Sequence, residues 1–228
     1  MPKKTFFNLP ETKRQHIEES AISEFSSKPF SYASINTIVA SAGISKGSFY
    51  QYFLDKGDLY QHVHGIAQKR KLELITSMAP NSNDLDVFAY LRWLLQVEVI
   101  FELRQPQLAR IEQYAFYDYD PATPENPEGA LRVGGSAYFN DFLTQGILND
   151  DIATWVDTSL ASFLLGTVYH RVAGHLIQRL GNSAQAIKDG SVDIREDPLA
   201  QALFDNLMDL FEAGMARDPQ IRRDFYLK

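Results

Sequence analysis

The sequence SINTIVASAGISKGSFYQYFLDKGDLY, residues 34–60, carries the signals that decide the fold of the first third of this chain. Ser34 is a suitable N-cap for a helix in which Ile35 and Ile38 lie on one face, because serine side chains accept hydrogen bonds from the free N–H groups of a first helical turn. Gly43 follows and supplies the permissive backbone with which helices commonly end. The first half of the stretch therefore predicts a short helix that stops in a tight turn.

A second short helix is predicted directly after this turn. Ser45 can serve as its N-cap, and Phe49 and Phe53, four residues apart, give it an apolar side. Asp55 is a third possible N-cap, and it opens a helical pattern that continues to about Met78. The stretch thus indicates two short helices, a turn of a few residues between them, and the start of a long helix.

Helical periods recur in the rest of the chain. Before residue 34 a helix is expected to begin near Glu11. Beyond residue 80, helices are expected over 85–103, 107–117, 130–145, 151–180 and 198–215. The segment DYDPATPENPEG has three prolines and cannot be helical throughout. Because no region shows the two-residue alternation of strands, the predicted fold class is all-α.

Composition and charge narrow the class of protein. The chain has 228 residues, 45% of them apolar and 22% charged, which is typical of a globular protein. It contains no cysteine, so disulfides and thiolate metal sites are excluded. The start has no apolar stretch of signal-peptide length, and the longest uncharged apolar stretch, TSLASFLLGTVYH, is too short to span a bilayer. These features favour a cytoplasmic protein.

The net charge of −7 is distributed unevenly along the chain. Residues 1–79 contain ten Lys and Arg against seven Asp and Glu, a net +3, whereas the remainder carries −10. This asymmetry favours a small basic module joined to a larger domain that does not itself bind polyanions. We expect three parts: a module over residues 1–54, a connecting helix over 55–78 and a larger domain over 79–228.

The two short helices and the glycine turn form a helix-turn-helix pattern, in which the second helix enters the DNA major groove. With Phe49 and Phe53 facing inward, Lys46 and Gln51 can reach base edges, since lysine favours guanine and glutamine adenine. Hydroxyl groups, helix N-termini and Lys56 can contact phosphates. The candidate DNA-binding residues are Ser34, Ser45, Lys46, Gly47, Ser48, Tyr50, Gln51, Tyr52 and Lys56.

Residues 10–62 are similar to the DNA-binding signature of the TetR/AcrR family of transcriptional regulators. The resemblance rests on Ala-Gly-Ile-Ser, then Phe-Tyr-x-Tyr-Phe, then Asp-Lys and Leu59. It implies that residues 45–48 start the recognition helix, that Tyr50 and Tyr52 are phosphate-side aromatics, and that Lys56 contacts a phosphate. It also implies a homodimeric, all-helical repressor that binds a pseudo-palindromic double-stranded operator and whose C-terminal domain holds an inducer pocket and the dimer interface.

The last two helical patterns are the candidates for that interface. Over 151–180 apolar residues cover nearly every direction, and over 198–215 they form a stripe, so both helices need covering on more than one side. The family resemblance pairs them with their symmetry mates in a four-helix interface. The candidate interface residues are Leu160, Leu164, Leu203, Leu207, Leu210 and Phe211.

An inducer pocket would be an apolar cavity with a few polar groups. Its candidate residues are Trp93, Tyr114, Tyr117, Tyr138, Trp155, Tyr169 and His170. The acidic balance of this region favours an apolar or cationic ligand over an anionic one. Two alternatives stay open: a DNA-binding protein of this fold without a small-molecule effector, and an enzyme. The lack of a phosphate-binding loop, nucleophile elbow or metal-ligand cluster in the sequence weighs against the enzyme and against any cofactor or metal.

Overall fold

A computed structural model of the chain describes residues 1–80, 85–117 and 127–215, with the backbone alone described at 116–117 and 127–137. Every regular element in these ranges is helical, which confirms the all-α prediction. A single 3₁₀ turn, Phe30–Tyr32, lies between the second and third helices. The helices are α1 (Lys4–Phe7), α2 (Glu11–Ser27), α3 (Ile35–Ser41), α4 (Lys46–Tyr52), α5 (Lys56–Ser77), α6 (Val87–Arg104), α7 (Pro106–Tyr117), α8 (Pro127–Leu148), α9 (Thr158–Leu180), α10 (Ser183–Asp189) and α11 (Pro198–Met215).

The chain divides into two compact units. Unit 1 comprises Met1–Glu73 and Gln105–Val133, and unit 2 comprises Leu74–Arg104 and Gly134–Lys228. Unit 1 therefore contains α7, which packs against α2 although it is distant from it in sequence. The sequence predicts a different kind of division, into three consecutive segments with boundaries at 54/55 and 78/79. That division stays a prediction.

The core of unit 1 is rich in aromatic side chains. Phe25 on α2 meets Tyr60 on α5 edge to face, with ring centroids 5.0 Å apart. Burying a phenylalanine side chain of this kind is worth about 1.5–3 kcal/mol, so a few such residues are enough to hold the short helices together. The largest fully buried side chains of the unit are Phe6, Ile17, Phe25, Ile38, Phe49, Phe53, Leu59, Tyr60 and Ile111.

The core of unit 2 is built around α6. Eight consecutive residues, 94–101, are buried, so this helix is covered on all sides. The helices α8, α9 and α11 contribute side chains to the same hydrophobic cluster. Its members include Leu91, Leu95, Val99, Phe139, Leu143, Leu165, Leu176, Leu203, Phe204 and Met208.

The predicted helix over 151–180 begins later than expected. Asp157 is the N-cap of α9, because its Oδ1 accepts hydrogen bonds from the N–H groups of Ser159 (2.9 Å) and Leu160 (3.0 Å). The preceding residues form turns, and Ala153 N–H donates to the Met215 carbonyl at the end of α11 (3.0 Å). The apolar spacing within 152–156 thus results from contacts with the rest of unit 2 and not from a helical face.

Sequence patterns also missed two short helices and misplaced one helix start. Both α1 and α10 are too short to show a helical period, and α10 ends at Gly190, whose φ of +80° is the left-handed conformation favourable to glycine. Pro127 opens α8 three residues before the expected start, as suits proline in a first turn. Within the described ranges, no helix is both long and apolar enough to cross a membrane.

Candidate nucleic-acid interface

The turn between α3 and α4 is formed by the residues that the sequence indicated. Ser34 Oγ accepts a hydrogen bond from Thr37 N–H (3.5 Å), and Ser45 Oγ accepts one from Ser48 N–H (3.0 Å). Gly43 lies between the two helices with φ +62°, a conformation that a side chain would strain. Both predicted N-caps and the glycine turn are therefore confirmed, and α3 and α4 form a helix-turn-helix.

The helix α4 has one face anchored in the core and one face left to solvent. Phe49 has no exposed surface, and Phe53, directly after the helix, is equally buried. The side of α4 turned away from this core is polar, with Ser48 half-buried. The exposed residues of α4 are Lys46, Gly47, Tyr50 and Gln51.

Gly47 is not required by the packing of the chain around it. A Cβ at this position would meet only Ser45 Oγ, at 3.7 Å, which is an ordinary van der Waals contact. Its backbone is helical, so an alanine would fit. The absence of a side chain here leaves the first turn of α4 open to close approach from outside.

The two tyrosines of α4 have different surroundings. Tyr50 is 44% exposed and rests edge to face on Phe49, with ring centroids 5.2 Å apart. Tyr52 is 7% exposed, and its ring lies 6.3 Å from that of Phe6. Tyr50 is therefore presented to solvent, whereas Tyr52 contributes mainly to the packing of unit 1.

Lys56, at the start of α5, has partners that sequence reasoning missed. Its Nζ donates hydrogen bonds to the carbonyls of Phe30 (2.7 Å), Ala33 (3.0 Å) and Ser31 (3.4 Å). It also lies 4.4 Å from the centroid of the Phe30 ring, a cation–π contact. Since an ammonium group has three N–H donors, a phosphate contact would compete with these carbonyls. Lys56 clamps the 3₁₀ turn that leads into α3.

A buried carboxylate supports the same turn. Glu24 on α2 is only 6% exposed, and its Oε1 accepts a hydrogen bond from Ser34 N–H (2.7 Å). The same oxygen forms an ion pair with Lys28 Nζ (3.0 Å). Ser34 is thus held through its own N–H while its hydroxyl caps α3. The signal in the sequence was an acid on the apolar side of α2, next to Phe25.

The histidines of α5 are held by contacts within unit 1. His62 Nε2 lies 2.8 Å from Glu18 Oε1 on α2. His64 is buried, and burial together with the nearby Lys71 charge lowers its pKa to about 4, so it is neutral at pH 7. Lys71 itself forms an ion pair with Glu112 on α7. Among the residues that the structure describes, no cluster of three or more histidines and acids has the arrangement of a metal site.

Comparison with known proteins identifies the family of this helix-turn-helix protein. The family described as "Bacterial regulatory proteins, tetR family" matches residues 17–63. A TetR family transcriptional regulator from Chloroflexus aurantiacus J-10-FL, solved by crystallography, is 36% identical, and the alignment covers 96% of this chain and 100% of that one with a TM-score of 0.76. The chain belongs to the TetR family of transcriptional regulators.

Two further TetR-like proteins show how far the similarity extends. The HTH-type transcriptional regulator AcrR of Shigella flexneri is 35% identical over 74 residues, which is 32% of this chain and 34% of that relative's length. The regulator FadR of Bacillus subtilis, crystallised in complex with stearoyl-CoA, shares the fold at 14% identity, covering 86% of this chain and 96% of that chain with a TM-score of 0.58. Strong sequence similarity to AcrR is thus confined to about a third of the chain.

In this TetR family chain, four of the seven predicted ligand-site residues come together in unit 2. The Trp93 ring is tilted against that of Tyr90, with centroids 5.2 Å apart, and the Tyr90 hydroxyl lies 3.2 Å from the Tyr138 hydroxyl. The series continues from Tyr138 through Phe139 to Tyr169 and His170, with centroid distances of 5.4, 5.5 and 5.2 Å. We call these residues the aromatic cluster: Tyr90, Trp93, Tyr138, Phe139, Phe142, Tyr169 and His170. Sequence reasoning missed Tyr90, Phe139 and Phe142, and the rings of Tyr90 and Phe142 are 5.7 Å apart.

The other three predicted ligand residues lie elsewhere. Tyr114 is a half-buried residue of α7, in unit 1. Trp155 is 52% exposed and borders a groove of about 300 Å³ between α9 and α11. The side chain of Tyr117 lies outside the described residues. These three predicted residues therefore do not belong to the aromatic cluster.

The six predicted interface residues divide by exposure. Leu160, Leu164 and Leu210 are 58%, 51% and 66% exposed and line the groove beside Trp155. Leu207 and Phe211 are partly buried against the core of unit 2, and Leu203 belongs to that core with 5% exposure. The exposed Phe163, which was not among the predicted residues, extends the apolar face of α9.

Proposed function

We propose that this TetR family protein is a homodimeric repressor that binds a pseudo-palindromic operator through α4 and leaves it when a small molecule binds unit 2. The observation that carries the proposal is the exposed face of α4. Phe49 fixes the helix in the core, while Lys46, Gly47 and Gln51 are exposed. Because the fold does not bury these residues, they are available to DNA.

We assign different roles to the residues around the turn. Lys46 and Gln51 read base edges, since their donors suit guanine and adenine in the major groove. Gly47 lets the backbone approach a phosphate, and Ser34, Ser45, Ser48 and Tyr50 donate hydrogen bonds to phosphates. Tyr52 and Lys56 contribute to DNA binding mainly by fixing the positions of α4 and of the turn before α3. Direct phosphate contact is secondary for them because both have partners within unit 1.

The test of DNA reading starts from an unbiased selection of bound sequences. Lys46→Ala should weaken binding to the selected operator by about 1–3 kcal/mol and relax the preference at one base position. Lys188→Ala removes an exposed lysine of unit 2 and serves as the matched control. If Lys46→Ala has the same operator affinity and base preference as the unmodified protein, Lys46 does not contact a base.

The dimer proposal rests on the apolar face of α9 and α11. Leu160, Leu164 and Leu210 are exposed beside a groove, and a contiguous apolar surface of this kind is typical of an interaction site. A two-fold dimer would bring the face against its own copy and present two recognition helices to half-sites roughly 34–36 Å apart or somewhat more. Sedimentation that finds a stable monomer at micromolar concentration, alone and on operator DNA, would exclude this arrangement.

We place the ligand at the aromatic cluster. Tilted and edge-to-face rings with a few hydroxyl groups suit an apolar or cationic compound. A protein of the same fold has been crystallised with stearoyl-CoA, whose acyl chain is apolar. The chain has two tryptophans, so Trp155→Phe leaves Trp93 as a single fluorescent reporter inside the cluster. Quenching of Trp93 by a compound that also releases operator DNA is the expected result.

Coupling between ligand and operator must be reciprocal if the ligand acts as an inducer. We propose that ligand binding displaces the far end of α5 and so changes the separation of the two recognition helices. Ligand and operator then weaken each other by the same factor, typically about 5–150-fold. Equal ligand affinity with and without saturating operator would favour the alternative, a DNA-binding protein without a small-molecule effector.

A further inference from the structure

The C-terminal end of α4 is completed by a distant segment of the chain. The last four carbonyls of a helix have no partner within it, and in a helix of seven residues they are a large share of the backbone. In α4 the first of them, Phe49 O, accepts from Phe53 N–H (2.9 Å). The other three all accept hydrogen bonds from residues 3–5.

Lys3 and Thr5 supply these three hydrogen bonds. Lys3 donates from Nζ to Tyr50 O (2.8 Å) and from its backbone N–H to Tyr52 O (2.8 Å). Thr5 donates from Oγ1 to Gln51 O. The Lys3 ammonium also places a positive charge at the negative end of the helix dipole. The segment therefore acts as the C-cap of α4.

Phe6 anchors the same segment in the core. It has no exposed surface, and its ring lies 4.9 Å from Phe53 after α4 and 5.3 Å from His62 on α5. The polar caps and the buried ring are only three residues apart, so the end of α4 is tied to α5 through this short segment. The family match covers residues 17–63, so residues 3–6 lie before the matched range although their partners lie inside it.

We propose that residues 3–6 are a positioning element that sets operator affinity and selectivity by fixing the orientation of α4. The inference rests on the proposed operator binding through α4. A helix of two turns is marginal by itself, so its orientation depends on its caps and its packing. Gln51 links the two functions directly, because its carbonyl is capped by Thr5 while its exposed side chain faces outward to read a base.

Thr5→Val tests the proposal with little change in side-chain shape and no change in charge. We expect operator affinity to fall about three- to tenfold, the usual effect of one hydrogen bond, while affinity for unrelated DNA stays within about twofold. Hydrogen exchange of the α4 amides should become faster. Thr5→Ser keeps the hydroxyl, so its operator affinity and its α4 hydrogen exchange should match those of the unmodified protein. Thr154→Val, at an exposed position of unit 2, is the matched control.

Lys3→Met separates positioning from a direct phosphate contact. It should lower operator affinity selectively, as Thr5→Val does, whereas Lys4→Met, which removes the neighbouring exposed charge, should not. Equal losses on operator and unrelated DNA for both lysine variants, with a smaller salt dependence, would show that the segment contacts phosphates and would overturn the proposal.

The failure of this inference can be distinguished from the failure of the proposed function. An unmodified chain that selects no DNA sequence would overturn operator binding and the positioning role together. An unmodified chain that selects an operator which Thr5→Val binds with unchanged affinity and selectivity would overturn the positioning role alone.

Discussion

Two glycines inside helices, Gly47 in α4 and Gly146 in α8, have opposite surroundings. A Cβ on Gly47 would meet one hydroxyl at 3.7 Å, whereas a Cβ on Gly146 would lie 2.7 Å from Ile152 Cδ1 and 3.1 Å from Val87 Cγ2. The chain itself explains why residue 146 is glycine, because the interior of unit 2 has no room there. It does not explain Gly47, and a glycine at that position fits the close approach of DNA that we propose.

Other residues of the two units can likewise be divided into those held by contacts within the chain and those left exposed. Lys56 and His64 are engaged by the fold of unit 1, and Leu203 by the core of unit 2. Lys46 and Leu210 are exposed and lie on the faces that we assign to DNA and to a second copy of the chain. Substitutions in the first group should change stability, whereas substitutions in the second should change binding and leave stability nearly the same.

The largest expected effect is that of a charge on the proposed dimer face. Leu210→Glu should weaken self-association by about 3–5 kcal/mol, because a buried carboxylate would meet its own copy across the two-fold axis. Operator binding should be lost with it, while the melting of the isolated monomer stays nearly the same because Leu210 is exposed. Leu148→Glu, at an exposed position outside the groove, is the control for the added charge. Sedimentation and operator binding measure both effects.

The buried His64 should make stability depend on pH. Its pKa is about 4 in the folded chain against an ordinary value of 6.5, so the unfolded chain binds the proton first as the pH falls. The contribution of neutral His64 to the free energy of unfolding is therefore complete above pH 6.5. It is lost as the pH falls towards 4, and the total loss is roughly 3 kcal/mol. In urea unfolding at several pH values, His64→Gln should show a shallower decline than the unmodified protein, and the exposed His16→Gln should show the same decline. Parallel declines for all three would contradict a buried neutral His64.

Gly146→Ala should destabilise unit 2. Overpacking against Ile152 and Val87 costs about 1–3 kcal/mol, and the better helix propensity of alanine returns about 1 kcal/mol of this. The expected net loss is therefore about 1 kcal/mol in the free energy of unfolding. Thermal or urea unfolding measures it, and a variant as stable as the unmodified chain would show that Ile152 moves aside without penalty.

Gly47→Ala should have the smallest effect on stability, with the opposite sign. Alanine fits the helix and should stabilise it by about 0.5 kcal/mol, yet operator affinity should fall because the added methyl group lies where we place a phosphate. A more stable protein that binds its operator less tightly is the expected pair of results. If operator affinity is retained, Gly47 has no role in DNA approach, and the contrast with Gly146 loses its functional meaning.

Short-range signals were sufficient to predict the helix-turn-helix. The three N-caps, Ser34, Ser45 and Asp55, each accept from an N–H three residues onward, and Gly43 adopts the expected positive φ. Such interactions join neighbours in sequence, so residue type and spacing contain the information needed to find them. The all-helical class and the outward face of α4 follow from the same periodicities.

Contacts between distant residues could not be predicted in this way. The partners of Lys56 are 23 to 26 residues away, and those of Lys3 and Thr5 are 46 to 49 positions away. An apolar stripe shows that a helix face needs covering, but it does not show what covers it: Leu203 packs inside unit 2, whereas Leu210 of the same helix is exposed. Periodicity describes a single element, and the choice between core, interface and clamp depends on which elements pack together in three dimensions.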